Sequence, residues 1–191
     1  MSVPPVLSYS GVTLRPLEVD RDLASLHAIF GNADAMRYMF RAPQESEEGT
    51  HALVEAWCAD KLSPQWAITA HGDESVALGR ITLVAQREGV MEIGVQTVPR
   101  AQGQGLARRA VVAVTAHALG TLGLARVYAD VDPGNAPSVR VFERAGYRLE
   151  GHLVANWVTD GGVVDSLIYA ATRGWAAPEA ATAPARLPVQ A

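Results

Sequence analysis

Between Trp66 and Val98 the apolar residues recur at every second position, in three runs: Trp66 to Ala70, Val76 to Val84 and Met91 to Val98. A period of two is that of a strand with one buried face. The separators His71-Gly72-Asp73 and Arg87-Glu88-Gly89 are turn-like, so the three runs predict a meander. The order then becomes strand, helix, strand, helix. Gly103-Gln104-Gly105 opens an Ala/Val/Leu-rich segment that ends at Leu119, Arg126 to Val131 is strand-like, and Pro137 to Ala145 reads as a helix with Gly146 just past its end. A meander followed by crossover helices gives a mixed sheet with helices on its faces.

The flanks fit this plan. Val12-Thr13-Leu14-Arg15 alternates up to Pro16 and predicts a short strand. Asp20 is placed to cap a helix whose Leu23, Leu26 and Phe30 share a stripe before Gly31-Asn32. Met36, Met39 and Phe40 predict a further helical turn, and Ser46 is placed to cap a helix bearing Leu53, Val54, Trp57, Cys58 and Leu62. Two strands, Tyr147 to Val158 and Val163 to Ala171, flank the hairpin signal Asp160-Gly161-Gly162. Residues 1–175 are expected to form one domain, and the Ala/Pro-rich residues 176–191 a flexible tail.

Composition narrows the function. With 191 residues, 49% of them hydrophobic, the chain can bury one good core, and no apolar run approaches the roughly 20 residues that cross a bilayer. The opening MSVPPVLSYS has neither a basic nor an apolar leader segment, and the single Cys58 cannot form an internal disulfide, so a soluble cytoplasmic protein is expected. A net charge of -4 argues against nucleic acid as a partner. His27, His51, His71, His117 and His152 show no metal-ligand spacing, and no Gly-x-Ser-x-Gly elbow is present, so no metal is expected.

The segment from Glu92 to Arg109 carries the chemistry. A strand runs into a loop with glycines at 103 and 105, and a helix follows. Such a loop aims several backbone N–H groups at one anion, close to the positive end of the helix. Arg108 and Arg109 in the first helical turn oppose the helix dipole unless an anion compensates them. A Walker loop would need Gly-Lys-Ser/Thr where Leu106 and Ala107 stand, and a dinucleotide fingerprint a third glycine at Arg108. Taken alone, the residues support an anion-binding domain; a glycine-rich loop with solvated arginines is the other reading.

Arg100-x-x-Gly103-x-Gly105 resembles the Q/R-x-x-G-x-G/A signature of the GNAT acetyltransferases. Asn135-Ala-Pro-Ser138-Val-Arg-Val-Phe142-Glu143-Arg144-Ala-Gly146-Tyr147 resembles that family's second motif at the expected distance. Thr13-Leu-Arg-Pro-Leu17, Glu92-Ile-Gly94 and Leu149-Glu150-Gly151 are similar to segments of its RimJ/RimL-like branch. The resemblance spans roughly Val12 to Ala171. It implies an α/β fold with a mixed, mostly antiparallel sheet of about seven strands and helices on both faces. It further implies acetyl-CoA as co-substrate, with the pantetheine arm between the two splayed strands, 91–98 and 126–131.

The same resemblance assigns roles. Gln96, Thr97 and Val98 would lie beside the pantetheine arm, with Gly94 as a bulge or a close approach. Arg100, Gln102, Gly103, Gln104, Gly105, Leu106, Ala107 and Arg108 would hold the phosphates, and Asn135, Ser138 and Phe142 would complete the donor site. Glu92 is the candidate base, the Val95 amide the oxyanion donor and Ser138 the aid to the leaving thiolate, because Phe142 replaces the family's frequent tyrosine. For Glu92 a paired or exposed carboxylate stands as an equal reading; for Asn135 and Ser138, which both open the helix, the other reading is a helix cap, of equal weight for Ser138. By the same resemblance, Trp157 stands where some RimL-like enzymes use a glutamate.

The acceptor is then a primary amine, either the α-amino group of a peptide or protein N-terminus or a small-molecule amine. An α-amine of pKa about 7.7 to 8.0 is easier to present neutral than lysine at about 10.4. A non-catalytic acyl-CoA sensor is the alternative, and a homodimer is compatible with the reading.

Overall fold

The computed structural model describes residues 3–39, 41–159 and 162–178. Phe40, Asp160, Gly161 and the tail from 179 onward lie outside them, as do the expectations placed there. The elements are β1 (Leu7–Tyr9), β2 (Val12–Pro16), α1 (Val19–Phe30), α2 (Ala33–Met36), α3 (Glu47–Ala59), β3 (Gln65–Ala70), β4 (Gly79–Arg87) and β5 (Val90–Thr97), followed by α4 (Leu106–Ala116), β6 (Arg126–Val131), α5 (Ala136–Arg144), β7 (Arg148–Thr159) and β8 (Gly162–Thr172). They form one eight-stranded sheet in the order β1-β2-β3-β4-β5-β6-β8-β7. The β5–β6 pair is parallel and the other pairs are antiparallel.

The register sorts residues onto two faces. Pro16, Trp66, Ile81 and Val95 stand opposite one another in one row. This face lies under α4: the ring of His117, which follows α4, meets Trp66 edge-on at 6.4 Å. The other face carries the row Arg15, Ala67, Arg80 and Gln96. Here Arg80 is 5% exposed and lies 4.2 Å from the ring centroid of Trp57 on α3 and 5.6 Å from that of Phe30 on α1. Helices thus cover both faces.

Several local expectations change. The eighth strand is β1, too short to show a period. The cap of α1 is Glu18 rather than Asp20; Glu18 makes no side-chain cap bond, and its N–H donates to the carboxylate of Asp22 one turn on. Ser46 does cap α3, accepting the Gly49 N–H at 3.1 Å, but the helix stops at Ala59, leaving Leu62 61% exposed. Strand β4 begins at Gly79, not Val76, and a Cβ at Gly79 would stand 2.3 Å from the Gln96 carbonyl, so the close approach to β5 there needs a glycine. Gly94 is therefore not the tightest approach on this strand pair, and the bulge lies between Ala85 and Arg87. The 116–121 region departs from the expected long helix: α4 ends at Ala116 and a wider π-helical turn follows, His117–Thr121.

A second irregularity interrupts the outer hairpin. Leu153 pairs with Ser166 and Trp157 with Val164, so Val154, Ala155 and Asn156 stand opposite Asp165 alone. Ala155 takes φ +53°, a left-handed conformation that an L-residue with a Cβ adopts at a cost. Asp165 compensates: Oδ1 accepts the Ala155 N–H at 2.8 Å, and Oδ2 lies 2.7 Å from His152 Nε2.

Candidate active site

Strands β5 and β6 pair only at Val90–Arg126, Met91–Val127 and Glu92–Tyr128, and then part. Beyond Glu92 the β5 edge that faced β6 has no strand beside it, which leaves the backbone groups there open to a ligand. A cleft of about 260 Å³ lies beside this opening. Its walls include Val95, Gln96 and Thr97 from β5, Gln102, Gly103 and Ala107 from the loop and α4, and Asn135, Pro137, Ser138 and Val141 from α5. The fourth wall is Asp34, Ala35, Tyr38 and Met39, from α2 and the turn after it. The two motifs, far apart in sequence, therefore meet at one cleft.

The loop is built by its glycines. Pro99–Ala101 forms a 3₁₀ turn, and Gly103 and Gly105 take φ +75° and +73°, values that favour a residue without Cβ. The Gln102 N–H is used within that turn, on the Pro99 carbonyl at 3.2 Å. From Gly103 to Ala107, the N–H groups have no hydrogen-bond acceptor among the described residues. Five consecutive open donors at a helix N-terminus fit a diphosphate. This is the geometric test that the acetyl-CoA expectation had to meet, narrowed by one residue at Gln102.

The arginines need a correction. Arg109 is not waiting for an anion: it donates to the carbonyls of Ser10, Gln104 and Gly105 at 3.0, 2.6 and 3.2 Å, clamping the loop to the β1–β2 turn. Arg108 Nε donates to the Arg144 carbonyl at the end of α5, 3.0 Å away. Arg100 is exposed, and its carbonyl accepts from the Gln104 side chain at 3.0 Å.

Two expected donor contacts point elsewhere. Val98 is 1% exposed, its N–H already bonds the Leu78 carbonyl and its own carbonyl takes the Ala101 N–H, so only the second lone pair of that carbonyl is left to a ligand. Phe142 is 3% exposed and packs edge-on against Tyr147 at 5.2 Å, in the core. Leu106 also buries its side chain, leaving only its backbone to the loop. For α5 the cap is Asn135, whose Oδ1 accepts the Ser138 N–H at 3.1 Å. The Ser138 hydroxyl is thus not the cap, and Ser138 lines the cleft.

Glu92 stands at the point where the strands part. Its Oε2 accepts from Tyr128 Oη at 3.3 Å and from Gln86 Nε2 at 3.1 Å. Burial, and then the charge of Asp130, push its carboxyl above the ordinary carboxylate range, against a smaller opposing effect of the Tyr128 hydrogen bond. Burial and the nearby Glu92 in turn push the Tyr128 phenol up to about 12. Asp130 shares this face, two residues further along β6; its Oδ2 accepts from Trp157 Nε1 at 2.9 Å and Asn156 Nδ2 at 3.2 Å. Residue-level reasoning missed Asp130, although an aspartate on the polar face of an alternating strand is a signal in itself.

An open strand edge, a donor loop at a helix N-terminus and a half-buried carboxylate at the fork together make a site for transferring an acyl group from a diphosphate-bearing carrier. The Acetyltransferase (GNAT) domain family matches residues 12–148, and the chain belongs to that family. It is 30% identical to the spermidine N(1)-acetyltransferase of Escherichia coli K12 over 156 residues, which are 81% of this chain and 82% of that one. A spermidine N-acetyltransferase of Vibrio cholerae, solved with CoA and spermine, superposes with a TM-score of 0.76 at 25% identity, covering 87% of this chain and 98% of its own. Mycobacterium smegmatis RimJ, solved with CoA-disulfide, gives 0.72 at 24% identity, covering 89% and 87%, a likeness of fold alone. The protein is an acyltransferase that uses acetyl-CoA and transfers the acetyl group to nitrogen. No group of three or more metal-ligating side chains occurs among the described residues.

Proposed function

We propose that the acceptor is a small amine carrying more than one positive charge, of the polyamine kind. One observation carries this reading: two carboxylates, Glu92 and Asp130, stand on one face of the sheet beside the fork. The charged side chain among the cleft-lining residues, Asp34, is also a carboxylate, paired with Arg37 at 3.2 Å. The spermidine acetyltransferases among the relatives support it.

In the mechanism, the open amides 103–107 hold the diphosphate and the β5 edge near Val95 receives the developing oxyanion. Glu92 takes a proton from the ammonium, directly or through water, and the freed lone pair attacks the thioester carbonyl. The C–N bond forms, the C–S bond breaks and the second amine proton leaves with the CoA sulfur, assisted by Ser138. With a thiol pKa of about 8.5, that sulfur departs without a tyrosine at position 142.

A second reading, the α-amine of a peptide N-terminus, rests on the lower pKa of that group and on the RimJ/RimL-like segments. A panel of spermidine, 1,4-diaminobutane, glycinamide and a short peptide, followed as free thiol with mass detection of the acetylated product, separates the two. Turnover of the peptide with none of the polyamine would overturn the proposal. We further read residues 1–175 as one acetyltransferase domain of a cytoplasmic protein; no helix among the described residues is long and apolar enough to cross a membrane. A homodimer is the assembly to test by light scattering.

A further inference from the structure

We propose that Asp130 is the acceptor-recognition residue, its Oδ1 receiving the protonated amine beside Glu92. Three observations converge. First, Oδ1 is buried and has no hydrogen-bond partner among the described residues, while Oδ2 of the same carboxylate has two. A buried carboxylate oxygen without a donor is costly, and a charged donor is the partner that compensates it best.

Second, the carboxylate is held in one orientation by residues that the outer hairpin delivers for that purpose. Asn156 and Trp157 lie at the end of the β7 irregularity, in which Ala155 takes its left-handed conformation and Asp165 fixes the backbone. Bulges of this kind re-aim side chains, and here the two re-aimed side chains both donate to Asp130 Oδ2. Trp157, which stands where some RimL-like enzymes use a glutamate, thereby acquires a role as a donor.

Third, the place is right. Tyr128 and Glu92 are the last bridged pair of the fork; Asp130 follows two residues later on the same face, where β6 has left β5. An ammonium has three N–H groups, so one can bind Asp130 Oδ1 while another faces Glu92, which removes it as in the reaction above. In this scheme Asp130 binds the cation, and Glu92 carries the proton away.

This inference rests on the amine reading, and the experiment keeps the two apart. Steady-state kinetics with spermidine and acetyl-CoA on Asp130→Asn should show the spermidine KM raised about 10- to 100-fold, with the acetyl-CoA KM and the thermal midpoint close to those of the unmutated chain. Asp130→Glu should recover part of the loss. Trp157→Phe, which removes one orienting donor and leaves the carboxylate, should show a smaller rise in the same constant and serves if Asp130→Asn does not fold. A spermidine KM within twofold of the unmutated value in the folded variants overturns the assignment and leaves the proposed function standing. If the unmutated protein turns over no amine, calorimetry of spermidine binding to the CoA complex decides: binding lost in Asp130→Asn supports Asp130 and rejects the function, whereas no binding, or binding that Asp130→Asn does not change, rejects Asp130.

Discussion

Arg15 of β2 and Asp22 of α1 form a two-pronged ion pair in the interior, Nη1 to Oδ2 at 2.8 Å and Nη2 to Oδ1 at 2.5 Å, with the Asp22 side chain fully buried. Asp22 also accepts the Glu18 N–H, so one carboxylate ties the sheet to the start of the helix whose far end leads into the cleft wall. Removing it leaves Arg15 with a buried charge. Asp22→Ala should cost about 3 to 5 kcal/mol, read from urea unfolding. A loss below about 1 kcal/mol would mean that water replaces the carboxylate.

Asn135 and Ser138 should separate cleanly. Asn135→Ala removes the cap of α5 and should cost about 1 kcal/mol. Ser138→Ala should leave the thermal midpoint unchanged and lower kcat if the hydroxyl assists the leaving sulfur. An equally stable, fully active Ser138→Ala enzyme removes that role.

Glu92 should trade stability for function. Its carboxyl is raised in the folded protein, so at neutral pH the buried charge is a burden that vanishes as pH falls through the folded pKa and the group protonates. Glu92→Gln should therefore raise the thermal midpoint at pH 7 and lose that advantage near pH 4. The same variant should lower kcat/KM roughly 10²- to 10⁴-fold near neutrality, recovering as pH approaches the amine pKa. In the unmutated enzyme, kcat/KM should rise with pH through a value above the usual carboxylate range. The groups facing Glu92 that shape this profile are Asp130 and Tyr128 from β6.

The loop glycines should matter for binding more than for folding. A Cβ at Gly103 meets nothing within 4 Å, and at Gly105 it comes no closer than 3.9 Å to Arg109, so the penalty of alanine is the left-handed backbone alone, roughly 1 to 2 kcal/mol. Relaxing that strain turns the open amides away. Gly103→Ala and Gly105→Ala should each weaken acetyl-CoA in calorimetry by more than they lower the unfolding free energy.

Ala155 gives the converse case. Ala155→Gly relieves the left-handed strain of the β7 irregularity and should stabilise the protein by about 1 kcal/mol in thermal unfolding. A drop in stability would show that the strain is not located there.

What was legible in the chain follows from range. Gly103 and Gly105 could be placed because their backbone angles exclude most other residues, and β5 because a strand's period is local. The Asn135–Gly146 segment could be placed because a cap, a helix and its glycine stop all lie within twelve residues. Arg109 was misread because its partner Ser10 lies 99 residues away. Val98 and Phe142 matched a family pattern, but burial, which no motif encodes, decided what they touch. The Asp130–Trp157 contact depends on a bulge in one strand and a fork in another, and a spacing of 27 residues announces neither.

The fork has a mechanical consequence. Among the described residues β5 and β6 pair at three positions only, and just before them the Gly89 carbonyl accepts the N–H groups of Ala125 and Arg126, so the backbone link between strands β1–β5 and the group β6, β8 and β7 is short. The sheet is two leaves on a short spine, and the open edge of β5 is where the spine stops. A co-substrate arm laid along that edge, as the family resemblance implies, would add rungs that the polypeptide does not supply, so the sheet should be stiffer with the donor bound than without it.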